Sequence, residues 1–73
     1  MIENQAAAKY VSELMLKTNG RLIESINTID QSCSAEESAL YKTRVGKIVN
    51  AIFEAILEPI YLKHPELKAH GLD

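Results

Sequence analysis

The chain has 73 residues, of which 47% are apolar and 25% are charged, and its formal net charge is −2. This length limits it to one small domain, and the composition favours an ordered chain over a disordered one. The slight excess of acids disfavours nucleic acid as the main partner, because phosphate contacts supply most of that affinity. Three glycines and two prolines are few for this length and favour an all-helical protein.

Neither the first residues of the chain nor its cysteine content indicates export. Met1–Gln5 lacks the basic segment and the long apolar segment of a signal peptide. No apolar run is long enough to span a bilayer, since Glu54 and Glu58 interrupt the best one. The single cysteine, Cys33, excludes an intrachain disulfide and favours a reducing compartment. We therefore expect a cytoplasmic protein with no membrane partner.

Residues 2–32 are predicted to form the first helix. Three consecutive alanines near its start favour helix, and apolar residues then recur at steps of three and four. That stripe comprises Ala8, Val11, Met15, Thr18, Leu22, Ile26, Ile29 and Cys33. Asn19-Gly20 is a turn signal, and a break there would give three helices instead of two. We favour one continuous helix, because the apolar phase carries across the glycine.

The connection Ser32-Cys33-Ser34 is short enough to make the two predicted helices antiparallel. Residues whose numbers sum to about 67 should then lie side by side. This register predicts three charge pairings: Glu3 with Lys63, Lys9 with Glu58, and Glu24 with Lys42 and Arg44. It also brings Gly20 beside Gly46, and two glycines at one level would let the helices approach closely.

Residues 35–63 are predicted to form the second helix. Ser34 and Glu37 have the spacing of a capping box at its start. Past Lys47 the apolar stripe widens into two adjacent stripes, of which one can pack within the chain and the other needs another surface. Pro59 removes a backbone donor inside this pattern and predicts a kink or a helix restart. Residues 64–73 are predicted to form a short tail.

These features predict an all-α fold of residues 1–73, an antiparallel two-helix hairpin with a Pro-kinked C-terminal end. A hairpin of this size buries little surface, so association with another chain is its remaining source of stability. We predict a homodimer, most simply an antiparallel four-helix bundle of two hairpins. The predicted interface residues are Val45, Ile48, Val49, Ile52, Phe53, Ile56, Ile60 and Tyr61. The alternative use of this surface is the docking of a different protein by helix-in-groove packing.

The predicted function is therefore that of a small cytoplasmic interaction or regulatory protein, not an enzyme, which acts as a homodimer and binds another protein. One alternative is an anion- or nucleic-acid-binding module with a basic collar in the middle of the hairpin, formed by Arg21, Lys42, Arg44 and Lys47. The sequence has no aromatic interleaving or helix-turn-helix pattern that would support base reading. A second alternative is a small-ligand sensor with a pocket between subunits near Pro59.

No catalytic residue, cofactor or metal ligand is assigned. Glu54 and Glu58 lie one turn apart, but without a nucleophile or a histidine nearby a solvated or ion-paired edge is the simpler interpretation. Cys33 has no basic neighbour in sequence that would activate its thiol. His64 and His70 lack the i, i+4 spacing of a helical metal site.

Overall fold

The computed structural model describes residues 1–68, which are helical and contain no strand. The helical elements are α1 (Gln5–Ser32), α2 (Ala35–Ile52), a π-helical turn (Phe53–Leu57), α3 (Glu58–Lys63) and a 3₁₀ turn (Pro65–Leu67). The π-helical turn joins α2 to α3, and α1 packs against both α2 and this turn. The prediction of an all-α helical hairpin is confirmed.

The first helix is continuous, and it begins at Gln5 instead of at residue 2. Its start is set by Asn4, whose side-chain oxygen accepts from the N–H of Ala7 at 2.9 Å. Such a cap satisfies one of the backbone donors that the first turn leaves free. The helix passes through Gly20 without a break, so the continuing apolar phase outweighs the local turn signal.

The connection between the helices ends in the capping box that the sequence predicts. The N–H of Glu37 donates to the Ser34 hydroxyl at 3.2 Å, and the N–H of Ser34 donates to the Glu37 carboxylate at 3.4 Å. Glu36 and Glu37 also place negative charge at the positive end of the helix dipole. The start of α2 is therefore fixed by local sequence alone.

The π-helical turn interrupts the predicted second helix just before Pro59. The N–H of Glu58 donates to the carbonyl of Phe53, five residues back instead of four. Pro59 has no N–H for the carbonyl of Ala55, and its ring would crowd that carbonyl in a regular α-helix. A wider turn immediately before the proline accommodates both effects.

The same turn changes which side chains face α1. A turn closed by an i→i+5 bond contains one residue more than an α-helical turn. Each later residue therefore takes the angular position of its predecessor in an uninterrupted α-helix, a rotation of about 100°. Leu57 and Ile60 are 1% and 0% exposed, and His64 is buried one turn further on. The turn thus carries the buried stripe of Val45 onward into α3.

The core between the helices is thin. Its buried apolar residues are Ala8, Val45, Leu57 and Ile60. The buried Ser12 and Ser38 are small side chains that let the helices lie close. Across the middle, the hydroxyl groups of Ser25 and Tyr41 hydrogen-bond at 2.7 Å. A core with so few large buried side chains supplies little stability to an isolated hairpin.

The start of the chain is held against the end of α3 by polar contacts. His64 Nε2 lies 2.8 Å from the carbonyl oxygen of Ile2, and its Nδ1 lies 3.4 Å from a carboxylate oxygen of Glu66. Because a carbonyl only accepts, Nε2 carries the proton in the first contact. Ile2 has φ 60°, in the left-handed region that β-branched residues rarely adopt. The contact with His64 offsets this backbone strain.

Only one of the three predicted charge pairings is present. Lys63 Nζ lies 3.2 Å from Glu3 Oε1, as predicted. Among residues 1–68, neither Lys9 with Glu58 nor Glu24 with a base on α2 forms an ion pair, so these pairings were wrong. Glu24 follows the half-buried Leu22 by two residues, which turns it away from α2. A shared level along the hairpin therefore does not ensure facing side chains.

The predicted close approach at Gly20 and Gly46 is also wrong. Both glycines are exposed, and a Cβ built on either would meet nothing within 4 Å. The small residues that face the opposite helix are Ala8, Ser12 and Ser38. The glycines lie instead on an outer surface of the hairpin, where they leave space beside the backbone.

Candidate interaction surfaces

One broad side of the hairpin, here called the glycine face, carries apolar residues around the two glycines. It comprises Leu16, Gly20 and Ile23 on α1, and Gly46, Val49 and Phe53 at the end of α2 and the start of the π turn. Within each set the steps are three and four, so the members share one side of their helix. Leu16, Val49 and Phe53 line a common groove, which shows that the two sets face the same way.

The groove on the glycine face is almost entirely apolar and has a volume of about 480 Å³. Its walls include Leu16 and Asn19 from α1, and Val49, Phe53 and Tyr61 from the opposite side. Leu16 is 40% exposed and Phe53 is 45% exposed. Asn19 Oδ1 is buried without a hydrogen-bond partner in the described part of the chain. The groove therefore offers apolar area.

The opposite broad side, here called the basic face, comprises Leu14, Lys17 and Arg21 on α1, and Arg44, Lys47 and Ile48 on α2. Tyr41 and Arg44 line a groove of about 390 Å³ there. The Tyr41 hydroxyl bonds Ser25, and Arg21 precedes Ser25 by one helical turn. All six residues of the basic face are exposed, Leu14 at 42% and Ile48 at 49%.

The predicted interface residues are divided between the core and these two faces. Val45 and Ile60 are buried within the single chain. Val49, Ile52, Ile56 and Tyr61 are half-buried. Phe53 is exposed on the glycine face, whereas Ile48 is exposed on the basic face. The two adjacent stripes seen in the sequence are thus largely one buried stripe, rotated by the π-helical turn.

The predicted basic collar is only partly assembled. Arg21, Arg44 and Lys47 lie on the basic face, while Lys42 precedes Gly46 by one turn and lies on the other side. All four are exposed and form no ion pair with another residue in the described part of the chain. Lys17 also belongs to the basic face, because it lies between Leu14 and Arg21 at helical steps.

The other candidate residues stand at exposed positions. Glu54 accepts a hydrogen bond from the Asn50 side chain at 3.3 Å, and Glu58 lies at the rim of an open groove of about 420 Å³ near Pro59. The Cys33 thiol is exposed at the hairpin tip. The groove near Pro59 is where the small-ligand hypothesis would locate its pocket.

His70 and the rest of the predicted tail beyond residue 68 lie outside the described residues. Over residues 1–68, no helix combines the length and apolar character needed to cross a membrane.

One surface feature was accessible from sequence but not recognised. Leu16, Gly20 and Ile23 form a second apolar stripe on α1, offset from the buried one.

Comparison of the chain with protein-family models, curated proteins and solved structures finds no match.

Proposed function

We propose that this chain is a cytoplasmic interaction protein, not an enzyme, which acts as a homodimer and uses a further surface to bind another protein. In the dimer, two hairpins pack through their glycine faces into an antiparallel four-helix bundle. The observation that carries the proposal is the glycine face, an apolar groove beside two open glycine positions. The exposed, single Cys33 thiol supports a reducing compartment.

The glycine face has the features of a helix-packing interface. Leu16, Ile23 and Phe53 are 40%, 54% and 45% exposed. Between them, Gly20 and Gly46 leave space in which a partner helix would come close to the backbone. Apolar side chains around small residues give the interlocking surface that helix packing requires.

The exposed area of the chain also fits a dimer. The chain exposes 5384 Å², whereas a compact monomer of its 8.1 kDa mass exposes about 4,500 Å². The excess of about 900 Å² is close to the roughly 800 Å² that each partner buries in a standard interface. The elongated form, 45 Å by 21 Å by 19 Å, explains the excess.

The solution mass tests this proposal directly. Light scattering over a wide dilution series should give twice the chain mass of 8.1 kDa at high concentration. The thermal midpoint should rise with protein concentration, because association stabilises the folded state by mass action. A folded monomer at every concentration would rule out the homodimer.

Substitution of the glycines tests which face is used. In an exposed helix position, Gly46→Ala should stabilise the separate hairpin by about 0.5–1 kcal/mol. In the dimer the added methyl group would meet the partner helix, so the dissociation constant should rise by about tenfold. Sedimentation equilibrium and unfolding at low concentration measure the two effects separately. Gly20→Ala should behave in the same way. Stabilisation with an unchanged dissociation constant would show that no helix packs at this level.

A further inference from the structure

We propose that the basic face docks an amphipathic helix from another protein, one whose apolar stripe is bordered by acidic residues. This inference deepens the proposed function, because it names the chemistry of the further partner. It rests on the part of the proposed function that binds another protein, and dimer packing through the glycine face would leave the basic face open to that partner.

The hairpin geometry brings bases from both helices together. The contacts Ser25–Tyr41 and Glu3–Lys63 show that paired residue numbers across the hairpin sum to about 66. Arg21 and Arg44 therefore stand at nearly one level on neighbouring helices. Lys17 precedes Arg21 by one turn and Lys47 follows Arg44 by one turn, which continues the basic pattern toward the same end of the hairpin.

Charge on this face is net positive in a chain whose formal net charge is −2. Four of its six defining residues are bases, and none forms an ion pair with a residue among 1–68. The neighbouring acids are Glu37 in the groove beside Tyr41, Glu13 beside Leu14, and Glu24, which follows Arg21 by three residues on α1. Glu37 is already engaged with Ser34 in the capping box. The four bases outnumber these three acids, and the excess positive charge favours an acidic partner and would accelerate its association.

The apolar content of the face decides what kind of acidic partner fits. Leu14 and Ile48 are exposed among the bases, and Leu40 beside them is 57% exposed. The phosphate backbone of a nucleic acid makes no favourable contact with such apolar side chains, whereas the apolar stripe of a helix would cover them. The groove beside Tyr41 adds a concave site for a large apolar side chain. The groove between the two helices fits the ridge of side chains on a partner helix. A flat bilayer surface would not fill this groove.

Two synthetic peptides test the proposal on the intact chain. Both carry leucines at steps of three and four; one has glutamates along both edges of the stripe and the other has lysines. Fluorescence anisotropy should show binding of the acidic peptide and not of the basic one, with affinity falling as salt is raised. Arg21→Glu combined with Arg44→Glu should lower the affinity for the acidic peptide by tenfold or more, on the order expected for charge reversal at an interface. The matched control is Lys42→Glu, on the other side of α2, which should leave binding unchanged.

Further measurements separate this proposal from its rivals. Ile48→Ser should lower the affinity for the acidic peptide, because an apolar contact is lost. Equal binding of both peptides, or binding insensitive to Arg44→Glu, would overturn the inference. Binding of single-stranded RNA or anionic vesicles in preference to the acidic peptide would overturn it as well. Light scattering on the Arg21 and Arg44 variants should show an unchanged dimer, and dissociation there would assign the basic face to the homodimer instead. Peptide binding by a chain that is always monomeric would sustain this inference while removing the dimer.

Discussion

Replacing Phe53 with glutamate should convert the dimer into a monomer. Phe53 is 45% exposed on the glycine face, so the substitution removes a large apolar contact and would bury an unpaired carboxylate in the dimer. Truncation of one central interface residue often costs 2 kcal/mol or more, and we expect the dissociation constant to rise by roughly a hundredfold. Light scattering and sedimentation equilibrium measure this change.

The control for Phe53→Glu is Leu40→Glu on the other side of the hairpin. Leu40 is 57% exposed beside the basic face, so the same change in side-chain chemistry should leave the dimer mass unaltered. The thermal midpoint of the Phe53 variant should also fall, since a thin core depends on association for stability. A Phe53 variant that remains dimeric would exclude the glycine face as the interface. Dissociation by Leu40→Glu alone would move the interface to the opposite side.

Truncation of Ile60 should destabilise the hairpin more than truncation of any exposed residue of α3. Ile60 is 0% exposed, and deletion of a buried isoleucine side chain to alanine costs about 2–5 kcal/mol. That loss is comparable with the whole stability of a small domain. Ile60→Ala should therefore be largely unfolded, and Ile60→Val should show a graded loss of about 0.5–1.5 kcal/mol. Urea unfolding at one fixed protein concentration measures both.

Leu62→Ala provides the matched control on the same helix. Leu62 is 79% exposed, so its truncation should change the free energy of unfolding by less than about 0.5 kcal/mol. The contrast depends on the π-helical turn, because that turn decides which residues of α3 face α1. Equal losses at Ile60 and Leu62, or a larger loss at Leu62, would contradict the rotated phase.

The local elements of this fold are readable from sequence because their causes are local. The capping box at Ser34 and Glu37 involves residues three positions apart, and it appears as predicted. The continuity of α1 through Gly20 follows from an apolar phase that only an unbroken helix preserves. The short connection at Cys33 makes the helices antiparallel, and the Glu3–Lys63 contact agrees with the expected register.

The wrong predictions were those that depended on which side of its helix a residue lies. The position of a residue along the hairpin was predicted correctly in these cases. Gly20 and Gly46 stand at one level, as expected, but both face outward. Lys9 and Glu58 likewise share a level without meeting among the described residues. Direction around a helix requires knowing which side faces the neighbour, and two overlapping apolar stripes leave that choice open.

By itself, the sequence determined a helical hairpin: the capped start of its second helix, its short turn and its antiparallel pairing follow from interactions between near neighbours. Only the tertiary structure decided how the hairpin's surface is divided. Pro59 predicts an interruption, but a wider π turn and a sharp kink both satisfy its missing donor. The π turn rotates Leu57 and Ile60 into the core, and that packing leaves the glycine face and the basic face exposed on opposite sides.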